Sequence, residues 1–426
     1  MGEQMLTERQ FLYPINNFSL PRIAIDQEER NRQVLEPIRI TPELWQQAQQ
    51  IGELVSGLID QLPNLLANFE NAQNFFGLSK EIYHQRVEPF LETPFHVLYF
   101  GVDAVLSNGS IKIVEINPQA ASLGSYDQLN QQLIGANDPN AEISPSLLAA
   151  INQLLPADTQ ALVISHPNNV FHLYHQLLAQ QMHCRIAALQ DLTCTDQNLV
   201  SYQGKKVGLL FKQFSNHNLF TETICASNLL KAIQTGKVLI ANSPLFPFFG
   251  DKVFLAKLGE LEPALLPYLP EMRVIGPTEA GELFQDQNNW LKGDTRGGKE
   301  ITLNLAEYRG GWKQRVIEAL VRGDYDTALH NIPEASPSKT VARLKRYILD
   351  LRVFGHQSWL LQKHYPAQQI TTADGQSLNT LMRMYFVRNP ANLGTTEAKT
   401  TTFIEFFASA QNRVSAAGYT IPVRSA

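Results

Sequence analysis

The sequence is poor in cysteine, has no excess of basic residues and contains no long apolar run. Its three cysteines, Cys184, Cys194 and Cys225, have neither the even number nor the close spacing of a disulfide framework or zinc site, so reduced thiols are expected. The formal net charge is -5, which gives no general basic field for nucleic acid or anionic lipid. No window holds the roughly 18 consecutive apolar residues of a transmembrane helix. We therefore expect neither a nucleic-acid partner nor a membrane partner.

The sequence also lacks a recognisable targeting signal. Its first residues carry Glu3, Glu8 and Arg9 and no apolar core, so a cytoplasmic protein is expected. Hydrophobic residues make up 44% of the 426-residue chain and charged residues 18%, which predicts a folded protein with two or three packed units. The sequence leaves the oligomeric state open, with a homo-oligomer as one option.

Hydrophobic periodicity divides the chain into four predicted regions. Apolar residues at three- and four-residue steps over 41–82 predict a helical N-terminal region, 1–93. Two strand-like runs around 107–110 predict a hairpin within 94–135, and alternating strands and helices predict a parallel α/β domain over 145–245. The remainder, 246–426, is mixed. The fold class predicted from this order is α/β and α+β.

The hairpin offers oxygen atoms of the kind that bind a hard cation. Glu115 and Asn117 share one face of their strand, and Asp103 lies on the partner strand between apolar neighbours. Carboxylate and amide oxygens suit Mg²⁺, which takes its remaining ligands from water and phosphate. A half-exposed edge strand with polar residues facing water explains the same pattern.

The metal site makes a demand on the hairpin register. A simple two-residue turn at Asn108-Gly109 would place Asp103 and Glu115 on opposite faces. A three-residue loop instead places Asp103 opposite Ile113, on the same face as Glu115 and Asn117. The other face then gathers Val102, Ala104, Leu106, Val114 and Ile116, with only Lys112 out of place. We predict an odd-length loop or a compensating bulge, with the carboxyl oxygens of Asp103 and Glu115 close together.

Two lysines have the local context of phosphate ligands. Lys252 opens a helical run, and Lys292 ends a strand-like run before a loop that contains Gly297 and Gly298. A lysine in such a position can place its ammonium on a phosphate oxygen while backbone N–H groups of the loop approach the others. Each lysine alone is also explained as a solvated surface charge.

Two strand-like runs near 358–363 and 381–387 complete the set. The backbone of the first run could hold an adenine, and the second run could direct Arg383 at a phosphate. A purely structural hairpin formed by the two runs explains the segment equally well.

In this order the motifs resemble the circularly permuted ATP-grasp superfamily, which includes glutathionylspermidine synthetase-like ligases. The superfamily pattern D-x6-G-x5-E-x-N is similar to Asp103, Gly109, Glu115 and Asn117, and an α/β domain and two lysines follow. The likeness covers about residues 95–390. It implies an ATP-grasp fold in circularly permuted order, with a central Rossmann-like pre-ATP-grasp α/β domain behind a helical N-terminal region.

The resemblance also implies cofactors and roles for individual residues. ATP and Mg²⁺ would phosphorylate a small-molecule or peptide carboxylate, and an amine would attack the acyl phosphate to give an amide. The residues implied are Asp103, Glu115 and Asn117 for the metal, Lys252, Lys292, Gly297, Gly298, Gln362, Lys363 and Tyr365 for ATP, and Arg383 and Lys252 for catalysis.

Two other functions stay open at this point. One is an ATP-grasp scaffold that has lost catalysis and acts as a binding protein in a biosynthetic system. The other is a Rossmann-type oxidoreductase built on the α/β segment. The oxidoreductase is disfavoured because the stretch 164–169 lacks the GxGxxG that lets a dinucleotide pyrophosphate approach a strand-to-helix turn.

Overall fold

A computed structural model describes residues 4–5, 33–34, 38–107, 109–118, 143–165, 172–213, 226–285, 289–295, 300–333, 339–354, 356–371, 377–389, 400–409, 419–421 and 423–425. The chain forms two compact units. Unit 1 comprises Met1–Gln61, Phe90–Pro247 and Ala367–Ala426, and unit 2 comprises Leu62–Pro89 and Phe248–Pro366. The stretch 246–426, taken as one region from the sequence, is therefore divided between the two units.

The described helices and strands are numbered in chain order. The helices are α1 (Pro42–Leu65), α2 (Phe69–Phe76), α3 (Lys80–Arg86), α4 (Ile143–Leu154), α5 (His172–Gln181), α6 (Ala226–Gln234), α7 (Lys252–Leu261), α8 (Gly311–Arg322), α9 (Tyr325–His330) and α10 (Lys339–Phe354). The strands are β1 (Gln4–Met5), β2 (Gln33–Val34), β3 (Ile38–Ile40), β4 (Tyr99–Ser107), β5 (Ser110–Asn117), β6 (Gln160–Ser165), β7 (Arg185–Ala187), β8 (Thr193–Cys194), β9 (Val200–Tyr202), β10 (Lys205–Gln213), β11 (Leu239–Ala241), β12 (Met272–Ile275), β13 (Asn289–Thr295), β14 (Glu300–Asn304), β15 (His356–Lys363), β16 (Gln369–Thr371), β17 (Ser377–Arg388), β18 (Thr400–Ser409), β19 (Tyr419–Ile421) and β20 (Val423–Ser425).

The predicted N-terminal helical region forms three helices, and capping residues separate them. Gly77, in the left-handed conformation at φ 64°, ends α2. Asn68 caps the start of α2 by accepting a hydrogen bond from the Asn71 N–H at 2.9 Å, and Ser79 caps α3 in the same way. Asn, Ser and Gly at these positions satisfy the unpaired backbone groups of helix ends, so the chain turns between the helices.

Unit 1 contains a large antiparallel sheet in the order β19-β18-β17-β4-β5, with β16 also paired to β17. The predicted hairpin, β4 and β5, therefore shares a sheet with strands from near the end of the chain. One face of the sheet is apolar and buried. Its residues include Phe100, Val102, Ala104, Leu106, Ile111, Ile113, Ile116, Met382, Met384 and Phe386.

Helix α1 approaches this sheet closely at one glycine. A methyl group on Gly52 would meet two ring carbons of Phe386 at 2.4 Å, whereas a methyl group on Gly57 would have nothing within 4 Å. Near the same contact, the buried Arg388 donates hydrogen bonds to Ser56 and to Asp60. Helix α1 as far as Gln61 thus belongs to unit 1.

This contact gives a stability prediction with an internal control. We expect Gly52→Ala to lower the free energy of unfolding by about 1–3 kcal/mol, because the Phe386 ring must move out of a packed core. Gly57→Ala on the same helix should raise it by about 0.5–1 kcal/mol, since alanine is the better helix former. Denaturant unfolding measures both, and equal effects of the two changes would contradict the close approach.

The second sheet of unit 1 is the predicted α/β domain. Strands β7, β6, β10 and β11 are neighbours in that order and parallel, and β9 and β8 extend β10 in the antiparallel sense. Alternating strands and helices thus produce the parallel arrangement expected from the sequence. A buried cluster joins α4, α5 and β6 to one end of the large sheet, through Tyr385 and Val387. The peptide bond between Ala241 and Asn242 is cis.

One expectation about the cysteines is wrong. Cys194 is disulfide-bonded, whereas Cys184 is a free thiol whose pKa is raised by burial. Spacing along the sequence could not show this pairing, because a disulfide depends on the distance between two Cα atoms in the folded chain.

Unit 2 contains a four-stranded antiparallel sheet in the order β12-β15-β13-β14. One face of this sheet, with α8, α9 and α10, builds the core of the unit. The strand residues in that core are Ile275, Leu291, Leu303, Trp359 and Leu361. Strand β15 thus lies in a different sheet from β17, so the interpretation of their two runs as one hairpin is wrong. Among the described residues, no helix has the length and apolarity needed to cross a membrane.

Candidate functional site

The β4–β5 hairpin places both carboxylates on one face through a compensating bulge, the second of the two predicted alternatives. Ser107 pairs with Ser110, so the connection has two residues and ends at Gly109 with φ 76°. A bulge then shifts the register between Asp103 and Ala104, and Asp103 pairs directly with Glu115. The prediction of an odd-length loop or a compensating bulge is confirmed.

Because of the bulge, buried apolar residues lie on one face of the hairpin and the acidic residues lie on the other. An extra residue on β5 lets Ile113 and Ile116 face the same apolar side, although three positions separate them. Lys112, which the three-residue loop left out of place, pairs with Val105 and lies on the polar side. Asp103, Glu115 and Asn117 therefore occupy one face of the hairpin, at directly paired or adjacent positions.

Arg383 binds Asp103 through both carboxylate oxygens. Its Nε donates to Oδ1 at 2.5 Å and one terminal nitrogen donates to Oδ2 at 2.6 Å, and the two side chains are only 11% and 8% exposed. Burial alone would lower the pKa of the Arg383 guanidinium, but the charge of Asp103 and its hydrogen bonds raise it well above the ordinary value. Arg383 was expected at a phosphate. In unit 1 it neutralises Asp103.

The donor set on this face suits a magnesium ion. Two carboxylates and an amide oxygen are hard ligands, and Mg²⁺ needs only one or two carboxylates when water and phosphate complete its shell. Since Arg383 occupies both oxygens of Asp103, Glu115 and Asn117 are the better placed pair. Across the described part of the chain, no group of three or more His, Cys, Asp or Glu side chains gathers at any point.

In unit 2, the sheet face opposite the core carries the predicted nucleotide residues. Trp290 pairs with Gln362 and Lys292 pairs with Leu360, so these four side chains share that face. Lys292 is 7% exposed and Gln362 is 2% exposed. A buried lysine and a buried amide on one sheet face argue against the surface-charge explanation of Lys292.

Gln362 has an unsatisfied acceptor. Its Oε1 is buried and has no hydrogen-bond partner in the described structure. A buried polar atom without a partner costs about 1–3 kcal/mol, so it usually marks a place where a ligand or water donates. The exocyclic amine of adenine is a donor of the required kind, and the residue therefore fits the predicted adenine site.

Lys252 is buried at the first position of α7, and that position is unusual for a cation. Asp251 caps the helix by accepting a hydrogen bond from the Val253 N–H at 2.8 Å. Lys252 itself is 4% exposed. A positive charge at a helix N-terminus opposes the helix dipole, whereas an anion is favoured there. Helix α7 contacts β12, β13 and β15, so Lys252 starts a helix that packs on the nucleotide sheet.

The two other predicted hinge residues are tied to Glu271. Lys363 donates to the Glu271 carboxylate at 2.7 Å, and the Tyr365 hydroxyl accepts from the Glu271 N–H at 3.4 Å. Strand β15 is paired on both sides, so its backbone can meet a base only beyond Lys363. There the ring of His364 lies 5.9 Å from that of Trp290. Gly297 and Gly298 lie outside the described residues.

Sequence reasoning gave no role to Asn242. Asn242 is buried and bonds the backbone of both hairpin strands. The usable signal is its position, since polar residues that directly follow buried parallel strands meet at the functional edge of an α/β sheet. The same edge holds the hydrogen-bonded pair Ser165 and His175, and Lys212, whose pKa burial lowers to about 7.

Comparisons with known proteins place the fold. No protein-family model matches the sequence, and no curated protein matches it. Among solved structures, a glutathione synthetase-like effector from Globodera pallida in its apo form is similar over 92% of this chain and 90% of its own, with 11% identity and a TM-score of 0.54.

A provisionally named gamma-glutamylcysteine synthetase from Methylobacillus flagellatus covers the same shares with 10% identity and a TM-score of 0.44, which is too low to claim a common fold. The chain is thus a mixed α/β protein with several sheets, similar in fold to a glutathione synthetase-like effector.

Proposed function

We propose that this protein is an ATP- and Mg²⁺-dependent carboxylate–amine ligase. The observation that carries the proposal is the β4–β5 register, in which a bulge brings Asp103 and Glu115 into direct pairing on the face that also holds Asn117. A hairpin that only packed a core would not need the bulge to gather its acids. The fold shared with a glutathione synthetase-like protein supports the same chemistry without proving it.

Each unit has a separate part in this proposal. Unit 1 would hold Mg²⁺ at Glu115 and Asn117, with Asp103 beside them. Unit 2 would bind ATP, with Lys252 and Lys292 on phosphate oxygens and Gln362 accepting from the adenine amine. Mg²⁺ would supply positive charge that offsets negative charge on phosphate oxygens.

The reaction proceeds in two steps. An oxygen of the substrate carboxylate attacks the γ-phosphorus, the bond to the β-phosphate oxygen breaks, and ADP leaves. The amine nitrogen then attacks the acyl carbon and phosphate departs, while the amine proton passes to the solvent. The protein supplies positioning and positive charge, and no side chain has to form a covalent bond.

The arrangement of strands supports a circularly permuted order. Strand β17, from near the C-terminus, pairs with the hairpin strand β4, and β18 pairs with β17 in the same sheet. In the superfamily that the sequence resembles, metal and nucleotide residues follow one another in just such an order. The inactive binding protein is the rival that shares every one of these features, and only turnover separates it from the ligase.

ADP release is the experiment that tests the proposal. Purified protein with ATP and Mg²⁺ should release ADP when a panel of amino acids and short peptides supplies both a carboxylate and an amine. Omission of Mg²⁺ should give no release. Nucleotide binding without release in any mixture would favour the inactive scaffold.

Replacement of Lys292 tests the nucleotide site in unit 2. We expect Lys292→Met to weaken binding of a non-hydrolysable ATP analogue about 10- to 100-fold, because a hydrogen bond to a charged group contributes about 1.5–3 kcal/mol. Lys257→Met is the matched control, since Lys257 is a partly exposed lysine of α7 that pairs with Glu260 at 2.9 Å. Calorimetric titration measures the affinity of both variants for the analogue. If Lys292→Met bound it as tightly as the wild type, Lys292 would not be a phosphate ligand.

A further inference from the structure

The side chain of Asn242 uses its whole hydrogen-bonding capacity on the hairpin backbone. Its Oδ1 accepts from the N–H groups of Leu98 at 2.8 Å and Tyr99 at 3.3 Å. Its Nδ2 donates to the carbonyl of Tyr99 at 2.7 Å and to the carbonyl of Pro118 at 3.0 Å. An asparagine amide offers two donors and two acceptor positions, so four bonds leave none unused.

These four bonds lie at the open end of the hairpin. Tyr99 is the first residue of β4, and Pro118 directly follows Asn117, the last residue of β5. The turn before Ser110 joins the two strands at one end, and the Asn242 amide joins them at the other. The last strand pair before that open end is Gly101 with Asn117. Asn242 therefore fixes the backbone immediately beyond a proposed metal ligand.

Asn242 is itself anchored by the parallel sheet. It directly follows β11, and the next residue, Ser243, donates its N–H to the His96 carbonyl at 2.8 Å. Tyr99 gains a second anchor there, because Gln213 at the end of β10 donates to the Tyr99 hydroxyl at 2.7 Å. The carboxyl edge of the α/β domain thus holds the hairpin through the side chains of Asn242 and Gln213.

We propose that Asn242 is a positioning residue for the metal ligands Glu115 and Asn117, and this rests on the proposed function. Removal of a group that orients a metal ligand typically lowers metal affinity 10- to 100-fold. Asn242 would orient the two ligands indirectly, by holding the backbone of Tyr99 and of Pro118, the residue after Asn117. Replacement of Asn242 should therefore weaken metal binding by more than the accompanying loss of folding stability would explain.

Two substitutions separate the contributions of the amide. Asn242→Ala removes all four hydrogen bonds. Asn242→Asp keeps the shape and the bonds from Leu98 and Tyr99, but loses both donations and sets a carboxylate against the Pro118 carbonyl. If the alanine variant does not fold, the aspartate variant still tests the tether at Pro118.

Gln160→Ala provides a matched control from the same sheet. The Gln160 amide donates to the carbonyls of Tyr202 at 3.1 Å and Lys205 at 3.2 Å, and so bridges the two strands of the β9–β10 hairpin. That hairpin carries no proposed ligand. The control therefore loses a comparable bridge between two strands and keeps the metal site.

The experiment combines Mn²⁺ titration, as a probe for Mg²⁺, with hydrogen exchange of residues 97–118 and denaturant unfolding, all on the full chain. We expect both Asn242 variants to bind Mn²⁺ at least 10-fold more weakly and to exchange faster at 115–117, whereas Gln160→Ala should change stability alone.

Unchanged Mn²⁺ affinity in folded Asn242 variants would overturn the positioning role, whether or not exchange rises. Failure of the wild-type protein to bind Mn²⁺, even with ATP present, would instead reject the proposed function, and the positioning role would fall with it.

Discussion

Glu115→Gln is expected to abolish ATP-dependent turnover while the protein stays folded. The substitution removes a negative charge that a divalent cation requires and keeps the size of the side chain, which is only half-buried. Loss of several kcal/mol of charge stabilisation corresponds to a fall of about 10³-fold in rate. ADP release at saturating Mg²⁺ measures the change.

The control for this prediction is Glu92→Gln, an exposed carboxylate of the same unit. It should turn over ATP as the wild type does. Unfolding midpoints of both variants should match the wild type within error, because neither change removes buried apolar contact. Wild-type turnover in Glu115→Gln would reject the metal assignment.

Arg383→Met is expected to cost about 3–5 kcal/mol of folding stability, because it leaves the nearly buried Asp103 carboxylate without its partner. The double variant Arg383→Met with Asp103→Leu should recover most of that loss, since two apolar side chains can replace a buried ion pair at little cost. Denaturant unfolding of the single and double variants measures the coupling.

The same variants decide between two roles for Arg383. If the arginine serves mainly to neutralise Asp103, nucleotide affinity in unit 2 should be unaffected by Arg383→Met. A loss of affinity of the size expected for Lys292→Met would support the phosphate role predicted from the sequence. A stability cost below about 1 kcal/mol would show that the pair contributes no more than an exposed salt bridge.

The hairpin shows how much a sequence pattern can predict. The aliphatic residues of β5 alternate at Ile111 and Ile113 and then at Val114 and Ile116, so the alternation changes phase between Ile113 and Val114. That change of phase is the signature of an inserted residue, and the structure places the bulge there. Burial and chemistry required the same register, so the prediction held even though the simplest loop did not.

The partner of Asp103 could not be predicted in the same way. Arg383 lies 280 residues away in the chain, and nothing local to either strand specifies their pairing. The same limit explains the error over β15 and β17. Successive strands pair more often than not, but the stretch between these two carries the chain from the sheet of unit 2 to the sheet of unit 1.

The burial of the two predicted phosphate lysines could likewise not be predicted from their neighbours in the sequence. Lys252 and Lys292 each had a surface charge as the ordinary explanation, and only their low exposure, 4% and 7%, sets that explanation aside. The orphaned Oε1 of Gln362 is of the same kind, because it depends on which groups surround the amide in the folded sheet.

A thermal-shift measurement with ATP, ADP, NAD and NADP, each with and without Mg²⁺, tests the central claim most directly. A ligand present at a hundred times its Kd stabilises the folded state by about 2.7 kcal/mol. ATP and ADP should therefore raise Tm, ATP more strongly with Mg²⁺, and Glu115→Gln should lose the magnesium increment alone. Stabilisation by NAD or NADP and none by ATP would contradict the account.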